Sequence, residues 1–295
     1  MNNQNYKSHI FAALSLFVMG NATLTLPFCR QQNGLFVLLL SSIFGLGFTF
    51  FAVRILNYAF LPFGRKSATG KAMSYLVSSA VIIAAIYGAA TSFYDYNLFL
   101  KSVQLPDTNR VFTAIMTLAL VFVFVRSSDS AILKICLFFA VITGAFVIIL
   151  FAISIKMFDP TVLKFKFDLN GGAVLAAFMC FLKWFAPIVV PIAFVVVSKQ
   201  RAGVANIISG VAAGFLGLSL STAQSILVLG GMSAGYDFPY LYAVSAFSAG
   251  ELFIRQDGFV YFIFFATTII KTAFCVKTVL IILKRFSKTK NAEGV

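Results

Sequence analysis

Runs of about 20 apolar residues recur along the whole chain, and they constrain its fold more than any other feature. A helix needs about 20 such residues to cross a hydrocarbon core roughly 30 Å thick. Charged residues make up 11% of the 295 positions, against about 25% in typical soluble domains, which is too little charge to cover a soluble surface. The sequence therefore predicts an all-α polytopic membrane protein.

We expect about eight transmembrane helices in a single integral-membrane domain over residues 1–295. The stretch 238–253 is apolar but too short to cross, and we expect it to form a short interfacial or re-entrant helix. Gly210 and Gly214 have the small-xxx-small spacing of a close helix crossing. The predicted spans cover residues 9–28, 34–54, 72–98, 109–126, 131–155, 172–197, 203–229 and 258–283.

The basic residues predict the orientation of the chain, because Lys and Arg favour the cytoplasmic side. With the N-terminus inside, the inner gaps hold 13 of the 23 Lys and Arg residues, the outer gaps hold 7, and 3 lie within spans. The net charge of +14 is therefore interpreted as an orientation signal and not as a nucleic-acid surface. We expect an integral membrane protein with both termini in the cytoplasm.

The residues of metal, redox and hydrolytic chemistry are sparse. His9 is the only histidine, and the four cysteines are separated by 107, 44 and 95 residues, which fits neither metal-ligand nor redox spacing. The sequence has no Gly-rich phosphate loop and no nucleophile elbow. We expect no enzymatic activity, no metal and no cofactor, and we expect free packing thiols at the cysteines: Cys29, Cys136, Cys180 and Cys275.

The first span contains a helix-breaking sequence near its outer end. Pro27 cannot donate a backbone hydrogen bond, and Gly20 weakens the helix from the other side. Backbone groups freed within lipid persist only where protein or a water-filled cavity satisfies them. We therefore expect this segment to contribute ligand-binding residues: Gly20, Asn21, Thr23 and Thr25.

The sixth span carries a matching defect, because Pro187 and Pro191 interrupt its hydrogen-bond ladder. Spans 1 and 6 correspond if the repeat is five spans long, and an odd repeat is inverted when it recurs. Paired interrupted helices are the best sequence indication of a transporter-type site near the midplane. Simple kinks are the alternative. The candidate ligand-binding residues in this span are Phe185, Ala186 and Pro187.

Lys271 lies near the middle of the eighth span, where a charge costs about 2.5–3.5 kcal/mol to insert. Thr267 and Thr268 share its helix face. One interpretation is that the three residues form a site for a cation-like group, and another is that the ammonium takes the place of a coupling ion. The alternative is a packing lysine beside threonines bonded to their own helix. Lys277 is expected to snorkel toward the inner edge, and Lys183 is left open.

Several segments resemble a known family. The outer-side sequence DYNLFLK at 95–101 is followed by LPDT at 105–108, and Phe238-Pro239 is followed by SAGELFIRQD at 248–257. These stretches, with the GNATLTLP sequence of the first span and the position of Lys271, resemble motifs in the B-subunit family of spore nutrient-germinant receptors. The resemblance runs from about residue 10 to 285, and it is carried by the order of short motifs.

The resemblance implies a fold of the amino acid/polyamine/organocation transporter superfamily, with inverted repeats and a small nutrient, such as an amino acid, bound between broken helices 1 and 6. It implies a germination signal given with A- and C-type receptor subunits in the spore inner membrane. The family usually has ten spans, so the second repeat of this chain is expected to be truncated. The family's Phe-Gly-Glu stretch is missing from span 6, and Tyr94 replaces an outer arginine. An amino acid or amine permease and a degenerate structural subunit are the alternative functions.

Overall fold

The computed structural model describes residues 3–30, 33–60, 68–104, 107, 109–159, 161, 171–198, 203–246 and 257–293. These residues form helices and connecting turns, without a strand among them. The α-helices are α1 (Asn3–Thr25), α2 (Gly34–Phe60), α3 (Ala68–Phe99), α4 (Arg110–Arg126), α5 (Asp129–Ser154), α6 (Gly171–Cys180), α7 (Val189–Val197), α8 (Val204–Leu229), α9 (Pro239–Ser245) and α10 (Asp257–Glu293).

Within these residues, six helical stretches are long and apolar enough to cross a membrane. They coincide with predicted spans 2, 3, 5, 6, 7 and 8, so the all-helical, polytopic membrane class is supported. Two shorter apolar helices, Lys7–Gly20 and Val111–Arg126, lie at predicted spans 1 and 4. The eight-span count and the inverted repeat stay predictions. The six stretches are Gly34–Phe60, Thr69–Val103, Asp129–Met157, Gly171–Val197, Val204–Ala234 and Gly258–Arg285.

The two long stretches predicted to carry the site are also the most buried. In Gly171–Val197 and Gly258–Arg285, 67% and 72% of the most apolar window lies inside the protein, against 22% in Asp129–Met157. A span surrounded by other helices can hold polar groups that lipid would exclude. Helix α10 packs against α1, α3, α4 and α7, so it occupies the centre of the bundle.

Helices α1 and α8 cross at close range, as the small-xxx-small spacing predicts. A Cβ atom added at Gly210 would lie 2.8 Å from the Phe11 carbonyl oxygen, and one added at Gly214 would lie 2.6 Å from the Val18 Cβ. Only glycine permits this approach of the two backbones. The crossing fixes the first half of α1 against α8, just before the Gly20 break.

Helix α9 is shorter than the predicted stretch 238–253, of which residues 247–253 lie outside the described residues. Pro239 stands in its first turn, where its missing N–H has no helical partner to lose. Five of its seven residues are buried against α8, α1 and α10. The helix is therefore packed inside the protein. Its buried residues are Pro239, Tyr240, Leu241, Ala243 and Val244.

Candidate functional site at two interrupted helices

Helix α1 is interrupted where the sequence predicts. Gly20 has φ 5° and ψ −127°, which is not helical. Leu26 follows with φ 31°, an uncommon backbone conformation for a residue with a branched side chain. A 3-10 turn at Pro27–Arg30 then replaces the α-helix. Regular α-helical geometry is therefore interrupted at Gly20 and again after Thr25, inside the bundle. An interrupted helix within lipid must satisfy its backbone groups by other partners.

The sixth span is also interrupted, but its chain remains helical in winding. Helix α6 ends at Cys180 and is followed by a π-helical turn, Phe181–Phe185, and by a 3-10 turn, Ala186–Ile188. Helix α7 begins at Val189. Pro187 provides no N–H, so an unbroken α-helical ladder cannot pass this point. Single π-helical turns are frequent at functional sites.

Aromatic stacking brings the two interrupted segments together. The Phe185 side chain, 1% exposed, stacks on Phe28 with ring centroids 6.1 Å apart and an interplanar angle of 8°. Phe28 belongs to the 3-10 turn that follows α1, and Phe185 ends the π-helical turn of span 6. The Phe185 ring also packs edge-to-face against Phe215 of α8, with ring centroids 4.6 Å apart. Phe185, at the second break, therefore contacts both the turn that follows the first break and helix α8.

Gly88 joins the sixth span to α10. A Cβ at Gly88 would lie 3.1 Å from the Cβ of Pro187 and 3.4 Å from the Sγ of Cys275. Pro187 is buried, and Cys275 lies one turn after Lys271 on α10. The small residue therefore lets α3 pack closely against both the second break and the helix that carries Lys271.

Lys271 faces the bundle interior and packs against the first break. Its side chain is 4% exposed. A Cβ at Gly20 would lie 3.5 Å from the Lys271 Cδ. The ammonium Nζ lies 5.1 Å from the centroid of the Phe17 ring, within cation–π range. The Asp95 carboxylate of α3 acts on the amine electrostatically, while burial itself disfavours the charged form. The aromatic face and the carboxylate thus offset only part of the cost of burying the charge.

The threonines of the site bond to their own helices. The Thr267 hydroxyl donates to the carbonyl oxygens of Ile263 and Phe264, at 2.8 and 3.1 Å. The Thr23 hydroxyl donates to the Met19 oxygen at 2.8 Å. Both hydroxyl protons are therefore used in hydrogen bonds within the helix, as the packing alternative predicts. Each hydroxyl oxygen can still accept a hydrogen bond from another group. Thr268 is fully buried and also has a partner.

A small cavity adjoins the first break. It has a volume of about 10 Å³ and is lined by Gly20, Thr23, Val147, Tyr240, Val260, Ile263 and Phe264. Such a volume holds about one water molecule. An amino acid is much larger than this volume, so it fits only if the helices around the cavity separate. The residues of the second break and Lys271 do not line this cavity.

The remaining predicted residues are placed as follows. Ala186 is half-buried and packs on the core beside Pro187. Thr25 is half-buried and has a partner. The side chain of Asn21 lies outside the described residues, as do most of the motif segments 105–108 and 248–257. The structure therefore places Gly20 against Lys271. It places Gly20 and Thr23 around the small cavity, and Phe185 against the first 3-10 turn.

The partners of Lys271 and the cavity residue Tyr240 were missed by the sequence analysis. Phe17 and Asp95 belong to helices far from Lys271 along the chain, so no local pattern indicates these interactions. Tyr240 lies in the short apolar stretch that was predicted only as an interfacial helix. In the sequence, only the presence of an aromatic residue directly after Phe238-Pro239 could have indicated Tyr240 as a candidate.

The other two lysines within the spans have different surroundings. The Lys277 Nζ donates to the Ser127 carbonyl oxygen and pairs with the Asp129 carboxylate at 2.8 Å. It therefore ties α10 to the connection between α4 and α5. Lys183 is exposed, with its Nζ 4.9 Å from the Trp184 ring centroid.

A larger cleft of about 430 Å³ lies between α3, α4 and α10, away from the predicted site residues. Phe112 and Met116 on its α4 wall are 59% and 52% exposed. In a membrane-spanning chain, such exposed apolar side chains face lipid. The cleft therefore lies at the outer surface of the bundle, whereas the two helix breaks lie inside it.

These features define a class, a polytopic helical protein with two interrupted helices, the first of which contacts a buried lysine. Comparison with protein-family models finds none that matches the chain, and comparison with curated proteins finds none that is similar. Among the described residues, no three His, Cys, Asp or Glu side chains group as metal ligands. The germinant-receptor family is therefore a prediction from the motifs alone.

Proposed function

We propose that this chain is the solute-binding membrane subunit of a nutrient-germinant receptor. A small nutrient, such as an amino acid, binds where the interrupted helices meet α10. The contact between the Gly20 break and the Lys271 stem carries the proposal. It joins a helix break, whose backbone groups can bind polar ligand atoms, to a buried cation.

The charge of Lys271 supports a binding role. A buried lysine that served only for packing would be replaced by an apolar residue at a gain, because its charge costs about 2.5–3.5 kcal/mol at mid-membrane. The cation–π contact with Phe17 offsets part of this cost. An ammonium held beside freed backbone groups suits the carboxylate of an amino acid.

The small cavity supports ligand sensing. With room for about one water molecule at the Gly20 break, a ligand enters only if the flanking helices move. Binding is then coupled to helix position, which is what a signalling subunit requires. The proposed readout is germination, given with A- and C-type subunits in the spore inner membrane and with both termini cytoplasmic. Those partners and that location rest on the motif resemblance and on the charge distribution.

The paired helix breaks equally favour a second candidate, an amino acid or amine permease, because interrupted helices form the binding sites of many transporters. The third candidate is a degenerate structural subunit, in which the helices around the small cavity never separate. Counterflow uptake in proteoliposomes separates the candidates. A permease exchanges labelled amino acid, a sensor binds without exchange, and a structural subunit does neither.

Thermal unfolding of the purified protein tests the proposal. A panel of the proteinogenic amino acids is added singly, and we expect at least one to raise the unfolding temperature. A ligand at 100 times its Kd stabilises the folded state by about 2.7 kcal/mol. Pro187→Leu should abolish the shift, because it removes the break that faces Gly88.

Lys183→Met is the matched control, because Lys183 lies in the same interrupted segment but is exposed. It should keep the response of the wild type. Binding at the breaks is disproved if no amino acid shifts the wild-type protein, or if Pro187→Leu retains the full shift.

A further inference from the structure

Tyr240 carries a buried hydroxyl that the described protein groups leave without a hydrogen bond. The residue is 1% exposed, and it lies at the start of α9 directly after Pro239. Its hydroxyl oxygen has no hydrogen-bond partner among the described residues. Buried polar atoms are nearly always satisfied in folded proteins, so each exception requires an explanation.

Ser221 of α8 is the polar side chain beside this hydroxyl. The two hydroxyls are close enough for a weak side-chain hydrogen bond, but the pair does not meet the distance and angles of a well-formed one. The Ser221 hydroxyl donates its own proton to the Gly217 carbonyl oxygen at 3.1 Å. The phenol of Tyr240 therefore has at most a weak hydrogen bond within the described residues, which a stronger acceptor can replace.

Tyr240 also lines the cavity beside the first break, together with Gly20 and Thr23. The cavity volume of about 10 Å³ suits one oxygen atom. Its other walls are apolar: Val147, Val260, Ile263 and Phe264. A single phenol donor in such surroundings selects for an acceptor, because a hydrogen bond to an ionised acceptor is about twice as strong as a neutral one.

We propose that Tyr240 is a specificity-determining residue of the nutrient site, and that its hydroxyl donates a hydrogen bond to a carboxylate oxygen of the bound solute. The inference rests on the function proposed above. It extends the site from the two interrupted spans to α9, which packs against α1, α8 and α10. Recognition of the carboxylate then depends on a helix outside the spans.

Tyr240→Phe tests the inference, because it removes the hydroxyl and keeps the ring. Tyr242→Phe is the control, since Tyr242 lies on the same helix but is 42% exposed. Each protein is titrated with the amino acid that most stabilises the wild type, and with the matching amino acid amide. The readout is the unfolding temperature as a function of ligand concentration.

We expect the half-saturating concentration of the amino acid to rise at least about 10-fold in Tyr240→Phe, as a lost hydrogen bond to a charged group implies. The preference for the acid over its amide should shrink with it. Without amino acid, Tyr240→Phe should unfold at or above the wild-type temperature, because no satisfied hydrogen bond is removed. Tyr242→Phe should match the wild type throughout.

The inference is overturned if Tyr240→Phe binds the amino acid as tightly as the wild type. It is also overturned if the variant unfolds at a lower temperature without amino acid, because the hydroxyl then serves the fold. A wild type that responds to no amino acid refutes the proposed function itself, and the inference with it. The response of the wild type thus separates the two failures.

Discussion

Lys271 and Lys277 are both buried on α10, six residues apart, yet their surroundings differ in kind. Lys277 has two direct oxygen partners, the Ser127 carbonyl oxygen and the Asp129 carboxylate. Lys271 has the ring of Phe17 and the stem contact with Gly20. Two neighbouring turns of one helix therefore hold the same residue type through different interactions.

The partners of Lys277 explain it as part of the fold. The Ser127 carbonyl oxygen lies just after α4, where helix carbonyl groups lack partners, and a lysine is a suitable donor there. Asp129 lies in the first turn of α5, where an acidic residue is favoured by the helix dipole. One ammonium thus joins three helices at one end of the bundle.

The ammonium of Lys271 makes no such direct bond to an oxygen atom among the described residues. A ring face and a carboxylate on another helix stabilise the ammonium less than direct bonds do, while the insertion cost is greatest near mid-membrane. The comparison teaches that burial alone does not reveal the role of a lysine. Its role is better indicated by the oxygen atoms that contact its ammonium. The predictions below test this division by stability and by ligand response.

Lys277→Met should destabilise the protein most. It leaves the Asp129 carboxylate and the Ser127 carbonyl oxygen without their cation. Breaking a fully buried pair costs about 3–5 kcal/mol. Since the Asp129 side chain is 39% exposed, we expect about 2–3 kcal/mol in the free energy of unfolding. Denaturant unfolding in mild detergent measures the loss. The amino acid response should persist, and a variant as stable as the wild type would contradict the structural role.

Gly214→Ala should have the next largest effect. The added Cβ would lie 2.6 Å from the Val18 Cβ and 2.8 Å from the Ser15 carbonyl oxygen, so α1 must move away from α8. We expect a loss of about 1–2 kcal/mol from overpacking. Because Phe17 lies between Ser15 and Val18, its contact with Lys271 should change as well. Unfolding and amino acid titration of the same sample measure both effects.

Gly144→Ala is the control for that substitution, because nothing lies within 4 Å of the added Cβ. It should leave stability unchanged or raise it by up to about 1 kcal/mol, as alanine favours the helix. If Gly214→Ala behaves like this control, the close crossing does not hold α1 in place.

Local chemistry made part of this arrangement predictable. Apolar run length indicated the six long helical stretches, since the hydrocarbon core fixes the required length. Gly20 and Pro187 indicated the breaks, since glycine and proline act on their own backbone. The spacing of Gly210 and Gly214 indicated a crossing, although the sequence does not say that α1 is the partner.

The rest depends on contacts between distant helices. The sequence places Lys271 nearer mid-membrane than Lys277, but their partners depend on the positions of α1, α4 and α5 around α10. The weak hydrogen bonding of the Tyr240 hydroxyl likewise depends on how α9 meets α8. No local rule specifies the π-helical turn before Pro187 or its packing on Phe28. Tertiary packing decides such cases.

Lys271→Met should change stability least and ligand response most. Methionine keeps the apolar stem against Gly20. Loss of the cation–π contact destabilises the folded protein by about 0.5–2 kcal/mol. Removal of the charge avoids the free energy of inserting it at mid-membrane, which is about 2.5–3.5 kcal/mol. Because the folded site already offsets part of that insertion cost, the net change should stay within about 1 kcal/mol of the wild type. The amino acid shift should disappear, because the counter-charge for the carboxylate is gone. Unfolding with and without the amino acid, beside Lys183→Met, measures both quantities. A Lys271→Met protein that loses as much stability as Lys277→Met and still responds to the amino acid would make both lysines structural, and the functional distinction between them would be wrong.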